Sequence, residues 1–141
     1  DLVRGRAGVH LELKDPDRHP GMERQVLAAL RPGDDVLVQS FDHASVRRVH
    51  ALAPDVPLGL LVEEPLDPGS LRAAAGFAAE VDPDLAVVDQ GVVDAAHAHG
   101  LSVSVWTVDD LADLRRTRDL GVDAIITDVP AVLAALPAEA P

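Results

Sequence analysis

The clearest pattern in the chain is the alternation in Val9-His10-Leu11-Glu12-Leu13-Lys14. Side chains of a strand point to opposite faces in turn, so Val9, Leu11 and Leu13 share one face and His10, Glu12 and Lys14 the other. A strand buried on both faces reads as a near-continuous apolar run. This one instead carries a carboxylate and the only lysine of the chain, two residues apart, at its C-terminal end. A solvated edge strand with an exposed ion pair would explain that, and so would a strand whose polar face looks into a site. The same pattern predicts further strands at Val36–Phe41, Pro57–Val62, Leu85–Asp89, Leu101–Val108 and Val122–Thr127.

Helical spacing fills the intervals. Pro20 opens a helix carrying Met22, Val26, Leu27 and Leu30, which Arg31-Pro32-Gly33 ends. Asp42 is placed to N-cap the next, with Val46, Val49 and Ala53 on one face. Ser70 is expected to cap an alanine-rich helix through Glu80. Gly91–His99 reads as a short helix stopped by Gly100. Asp109 or Asp110 caps one through Leu120, with Gly121 as its stop. A last helix is expected from Pro130, before the Pro137–Pro141 tail. Strand and helix thus alternate throughout, which predicts parallel strands joined by right-handed crossovers. No internal repeat or interdomain linker interrupts the pattern, and Glu63–Gly69 reads as a polar loop.

Two parallel architectures satisfy this order, an open doubly wound sheet and a (β/α) barrel. No glycine-rich phosphate loop follows any strand, which weakens the nucleotide-binding version of the first. Barrel enzymes place their sites at the C-terminal strand ends. The ends expected here carry Glu12 and Lys14, Gln39 and Phe41, then Glu63, Asp89, Trp106 and Asp128. On the fifth strand Ser102, Ser104 and Trp106 share a face, small polar residues leading to one large aromatic, as suits a lumen opening into a pocket. The barrel is the better reading. Val9–Lys14, Val36–Phe41 and Leu101–Val108 are expected as parallel neighbours of one curved sheet, with Glu12, Gln39 and Trp106 on its concave side.

Composition narrows the functions. A chain of 141 residues, 48% hydrophobic and 26% charged, has room for one domain with a core. A formal net charge of −12 argues against nucleic-acid binding through a basic face. No apolar run approaches the roughly 20 residues of a membrane span, and the expected location is cytoplasmic. The absence of cysteine excludes disulfides and thiolate metal sites.

Four segments then occur in a telling order: His10-Leu11-Glu12-Leu13-Lys14, Val38-Gln39-Ser40-Phe41-Asp42, Val105-Trp106-Thr107-Val108-Asp109, and Gly121-Val122-Asp123-Ala124-Ile125-Ile126-Thr127-Asp128-Val129-Pro130. Together they resemble the C-terminal part of a glycerophosphodiester phosphodiesterase, a divergent TIM barrel. That family carries an "IE-K" strand, an "SF" strand end, a "WT-(N/D)" strand end and a terminal "GVDGIITD-P" strand in this order. Each motif is weak alone; four in order over residues 9–130 are fairly specific. The resemblance implies a partial TIM (β/α)8 barrel of about six β/α units, corresponding to family strands three to eight, with residues 1–141 as the C-terminal portion of one barrel domain. The family's His-Arg pair and its Glu-x-Asp metal pair have no counterpart upstream of Glu12. A fragment of a longer protein is favoured over a degenerate paralogue, because a barrel lacking two adjacent strands exposes two edges beside an unfilled core.

The resemblance also implies roles. Glu12 matches the third carboxylate ligand of a divalent ion, and an all-oxygen carboxylate site suits Ca²⁺ or Mg²⁺. Lys14 would stabilise negative charge on the phosphodiester, its plainer role being a salt bridge to Glu12. Phe41 and Trp106 would wall the substrate pocket, or serve as ordinary core. Gln39 would hydrogen-bond the substrate or only its neighbours. The implied partner is a small-molecule glycerophosphodiester, cleaved to glycerol 3-phosphate and an alcohol. Alternatives are a related barrel phosphodiesterase acting on a phospholipid, a phosphate-handling biosynthetic barrel, and a non-catalytic barrel remnant that binds or scaffolds. Other polar residues read as structural. His97 and His99 diverge on their helix, His43 and His50 are expected to be solvated, His10 sits deeper than Glu12, and Asp128 is expected to be a turn and capping residue.

Overall fold

The computed structural model describes Val3 and residues 5–131. Six parallel strands follow one another across a single curled sheet: β1 (Val9–Glu12), β2 (Val36–Ser40), β3 (Leu58–Val62), β4 (Glu80–Pro83), β5 (Ser102–Val105) and β6 (Ala124–Ile125). Each pairs only with its sequence neighbours, and β1 and β6, at the two ends, do not pair with each other among the described residues. The helices α1 (Met22–Ala29), α2 (His43–Leu52), α3 (Pro68–Ala74), α4 (Gln90–Ala98) and α5 (Leu111–Asp119) fill the crossovers. This is a half-barrel of the partial TIM type, not a flat sheet with helices on both faces. No described helix is long and apolar enough to cross a membrane.

The register sorts the sheet into two chemically distinct faces. Val38, Leu58, Leu60, Val81, Val103 and Val105 are buried on the helix-covered side. They pack against Val46 and Val49 of α2, Leu71 of α3, Val93 of α4 and Leu114 of α5. Paired residues of neighbouring strands share a face, so the opposite side carries His10, Glu12, Gln39, Gly59, Glu80, Asp82, Ser102 and Ser104. That polar face is the lumen. The expected face of Ser102, Ser104 and Trp106 on the fifth strand is observed, with Trp106 bridged to Asp84.

Four expectations need correction. The fourth strand is Glu80–Pro83, not Leu85–Asp89. Its two lumen-facing carboxyls disguised it as the tail of the preceding helix, while Leu85–Val87 turn and Asp89 N-caps α4 by accepting from Val92 N. The third helix starts at Pro68 under Asp67, whose side chain accepts from Gly69 and Ser70 N, and it ends at Ala74. The fifth strand shares the sheet with the first two, but β3 and β4 separate it from β2. The first helix begins at Met22, with Gly21 at φ 84 as its N-cap rather than Pro20. By contrast Asp42 caps α2 as expected, accepting from Ser45 N at 2.9 Å, and Asp110 caps α5. The helix expected from Pro130 runs into residues 132–141, outside the described residues.

Gly59 sits where the lumen face is most crowded. A Cβ there would stand 2.5 Å from Asp82 Oδ2 and 2.9 Å from Leu37 Cδ2. Asp82, the nearer of the two, cannot retreat far, because it is fully buried. Gly59→Ala is expected to lower stability by about 1–3 kcal/mol, the usual cost of overpacking a core. A urea midpoint unchanged from wild type would show that the layer has room.

Candidate active site

The candidate site lies at the C-terminal ends of β1 and β2. After Glu12 the ladder continues for one residue, with Leu13 N donating to Gln39 O at 2.8 Å. Asp15 then adopts a left-handed conformation, φ 46, which Asp tolerates better than most residues, and turns the chain away. Glu12 and Lys14 are thereby left at the mouth of a cleft of about 580 Å³ that Phe41, Arg18 and Asp42 also line. Lys14 Nζ is 3.4 Å from Glu12 Oε2. The lysine side chain is 77% exposed and the glutamate 26%, so this is a partly screened ion pair worth little to stability.

Phe41 and Trp106, the residues expected to wall a pocket, lie against each other, and Phe41 lines the cleft. The Phe41 and Trp106 rings meet edge to face, 5.4 Å between centroids and 85° between planes. Phe41 is 44% exposed, more than a core phenylalanine would be. Trp106 is half-buried and donates its indole N–H to Asp82 O at 2.6 Å. Its peptide bond to Thr107 is cis. Gln39 is buried, pairs in register with Glu12, and its Oε1 stands 3.3 Å from His10 Nδ1. The structure therefore gathers Glu12, Lys14 and Phe41 on one cleft, sets Trp106 against Phe41, and holds Gln39 beside Glu12 in the wall of the lumen.

Sequence reasoning missed two features. Ser40 follows Val36 and Val38 onto the apolar face, yet its hydroxyl donates to Leu13 O at 2.7 Å and accepts from Asp42 N at 3.1 Å. It clamps the β1 end to the start of α2, and so fixes Glu12 and Lys14 relative to Phe41. A hydroxyl among valines was the available signal. The second feature is Asp82, fully buried on the lumen face with neither carboxyl oxygen hydrogen-bonded. Burial, reinforced by the neighbouring Glu80 carboxyl, pushes its pKa up to about 9, so it is neutral at pH 7.

The histidines divide. His43, expected to be solvated, places Nε2 2.9 Å from Leu61 O. His97 pairs with Asp123 at 2.8 Å, and Asp123 also accepts from Val103 N, tying the start of the last strand to α4. No histidine lines the cleft among the described residues. The turn before Pro130 is held by Asp109, which accepts from Thr127 Oγ1 and Asp128 N. A hard cation would find one suitable oxygen ligand in Glu12, but no three His, Asp or Glu side chains converge to hold a metal among the described residues.

Comparison with known proteins gives this geometry its context. The model of the glycerophosphoryl diester phosphodiesterase family matches residues 8–132. A curated glycerophosphodiester phosphodiesterase of Bacillus subtilis is 32% identical over 138 residues, 88% of this chain and 47% of that protein. A solved structure described as a putative glycerophosphoryl diester phosphodiesterase of Silicibacter pomeroyi superposes with a TM-score of 0.80 at 30% identity, covering 93% of this chain and 51% of that one. One from Galdieria sulphuraria gives 0.82 at 25% identity, covering 94% and 59%. The chain thus spans about half the length of the relatives it matches. Within that span the family match runs from the strand that bears Glu12 and Lys14 to the turn at Pro130, and the chain belongs to the glycerophosphoryl diester phosphodiesterase family.

Proposed function

We propose that the chain is the C-terminal portion of one barrel domain, in a protein that hydrolyses glycerophosphodiesters to glycerol 3-phosphate and an alcohol. The observation that carries this reading is the placement of Glu12, Lys14 and Phe41 around one cleft, with Trp106 against Phe41. Family membership, sheet ends at β1 and β6 that have no strand partner among the described residues, and relatives about twice as long all support it.

Each residue then has a distinct task. Glu12 supplies one oxygen to a divalent ion, Ca²⁺ or Mg²⁺, whose other protein ligands come from outside the described residues. When bound, such an ion offsets charge on a phosphate oxygen. The Lys14 ammonium, paired with Glu12, adds positive charge to the phosphoryl group as negative charge grows there. Phe41 and Trp106 exclude water from one side of the cleft and give the substrate's carbon atoms a surface to rest on.

Lys14 gives the direct test. In the full-length protein, Lys14→Ala is expected to lower kcat for glycerophosphocholine by on the order of 10²–10³, as when one preorganised charge donor is removed. Glycerol 3-phosphate release, followed by a coupled assay, measures it. A Lys14→Ala enzyme with wild-type kcat would leave the ion pair with Glu12 as the lysine's whole role.

A further inference from the structure

Trp106 hangs from the end of β4 and from the turn that follows it. Its indole N–H donates to Asp82 O and its backbone N–H to Pro83 O at 3.3 Å, while its carbonyl accepts from Leu85 N at 2.7 Å. The turn is tied internally, since Asp84 Oδ1 accepts from Ala86 N at 2.7 Å and Asp84 O from Val87 N at 3.0 Å. It is also held from the helix layer. Arg116, in the second half of α5, donates from Nη2 to Leu85 O and from Nη1 to Val88 O at 3.2 Å. Among the described residues neither carbonyl takes a backbone N–H, so Arg116 is their protein donor.

The task suits an arginine. A planar guanidinium presents several N–H donors in a fixed fork and can meet two carbonyls of one turn, where a lysine ammonium acts as a point donor. Asp113, one turn earlier on α5, stands 3.9 Å from Arg116 Nε and steadies the side chain along the helix. From there the contacts run on to the cleft. Trp106 meets Phe41 edge to face, and Phe41 lines the cleft with Glu12 and Lys14. Each step is direct: guanidinium to turn, turn to Trp106, Trp106 to Phe41. Arg116 itself does not line the cleft.

We propose that Arg116 is a positioning residue for substrate binding, which clamps the turn after β4 and so sets the Trp106 ring and, through it, the Phe41 side of the cleft. The proposal rests on the hydrolytic reading above and extends it to a residue of the outer helix layer. Substrate carbon atoms that pack on Phe41 are held less well when that ring loses its edge contact. The phosphoryl group, on the side of Glu12 and Lys14, is not affected. The signature therefore lies in affinity and not in turnover.

The test uses the full-length protein and reads KM and kcat for glycerophosphocholine beside the proton resonance of the Trp106 indole N–H. Loss of that resonance in Trp106→Phe assigns it. Arg116→Ala is expected to raise KM about fivefold with kcat within about twofold, the worth of roughly one hydrogen bond. The indole resonance should move toward that of a water-exposed indole and exchange faster with solvent. In a Trp106→Phe background, Arg116→Ala should leave KM where Trp106→Phe alone puts it. Should Arg116→Ala fail to fold, Arg116→Lys, which keeps one donor, is read for the same changes at smaller size. An unmoved indole resonance, a wild-type KM, or an equal rise of KM in the Trp106→Phe background would each overturn the proposal. A fall in thermal stability with KM and resonance unchanged would do the same, as the mark of a purely structural arginine. A protein that binds glycerophosphocholine without hydrolysing it, and whose Kd and indole resonance follow this pattern, would overturn the hydrolytic reading and leave the positioning intact. One that neither binds nor hydrolyses the diester would overturn both.

Discussion

Glu12→Gln in the full-length protein is expected to abolish measurable glycerophosphodiesterase turnover and to weaken binding of Ca²⁺ or Mg²⁺. The substitution keeps the shape of the side chain and removes the charge of Glu12, the cleft-lining carboxylate that β1 itself carries. A hard divalent ion takes six or more oxygen ligands and depends on the number of charged ones among them. Losing one is expected to lower turnover by at least about 10³, at the upper end of what a single electrostatic partner contributes. Calorimetric titration of the ion beside the coupled assay separates the two effects. An active Glu12→Gln enzyme with unchanged metal dependence would remove Glu12 from the site.

Asp82→Asn is expected to stabilise the chain increasingly as pH rises from about 5 to 9. The Asp82 carboxyl has a folded pKa of about 9, raised first by burial and then by Glu80, against about 4 in an unfolded chain. Between those values the folded state keeps a proton that the unfolded state has released, so unfolding becomes easier as pH rises. The slope approaches about 1.4 kcal/mol per pH unit in that window and vanishes below about pH 4, where both states are protonated. The amide of the Asp82→Asn variant keeps the shape and carries no charge in either state, so the slope should flatten. Urea midpoints measured across the range for both proteins decide it. Identical pH slopes would mean that Asp82 is ionised in the folded chain, with a partner that accommodates the charge.

What the sequence disclosed followed from how far each element obeyed its period. Val36-Leu37-Val38 and Leu58-Gly59-Leu60-Leu61-Val62 carry apolar runs long enough to announce buried strands, and Asp42 and Asp110 announce their helices as caps. Glu80-Val81-Asp82-Pro83 hid because its lumen face is acidic and its strand is only four residues long. Read along the chain it looked like a helix end; only the neighbouring strands supply the surroundings in which a neutral Asp82 is tolerated. Motif order singled out Glu12, Lys14, Phe41 and Trp106 as candidates, and the structure sets the first three on one cleft and Trp106 against Phe41. The Ser40 clamp and the His10–Gln39–Glu80 contact were not legible. They join residues 27, 29 and 70 positions apart, and no local pattern carries that information.

Trp106 is the only tryptophan of the chain, and its ring lies against Phe41, which lines the cleft. Its indole N–H is bonded to Asp82 O and its ring meets Phe41, so its emission senses the surroundings of those two contacts. The protein thus carries its own optical reporter. Because every strand pairs only with the next one along the chain, Phe41 and Trp106 come together when β2 to β5 are all in place. One fluorescence signal from an unlabelled molecule therefore marks the joining of β2 to β5, and the same signal follows any ligand that disturbs the Phe41 contact.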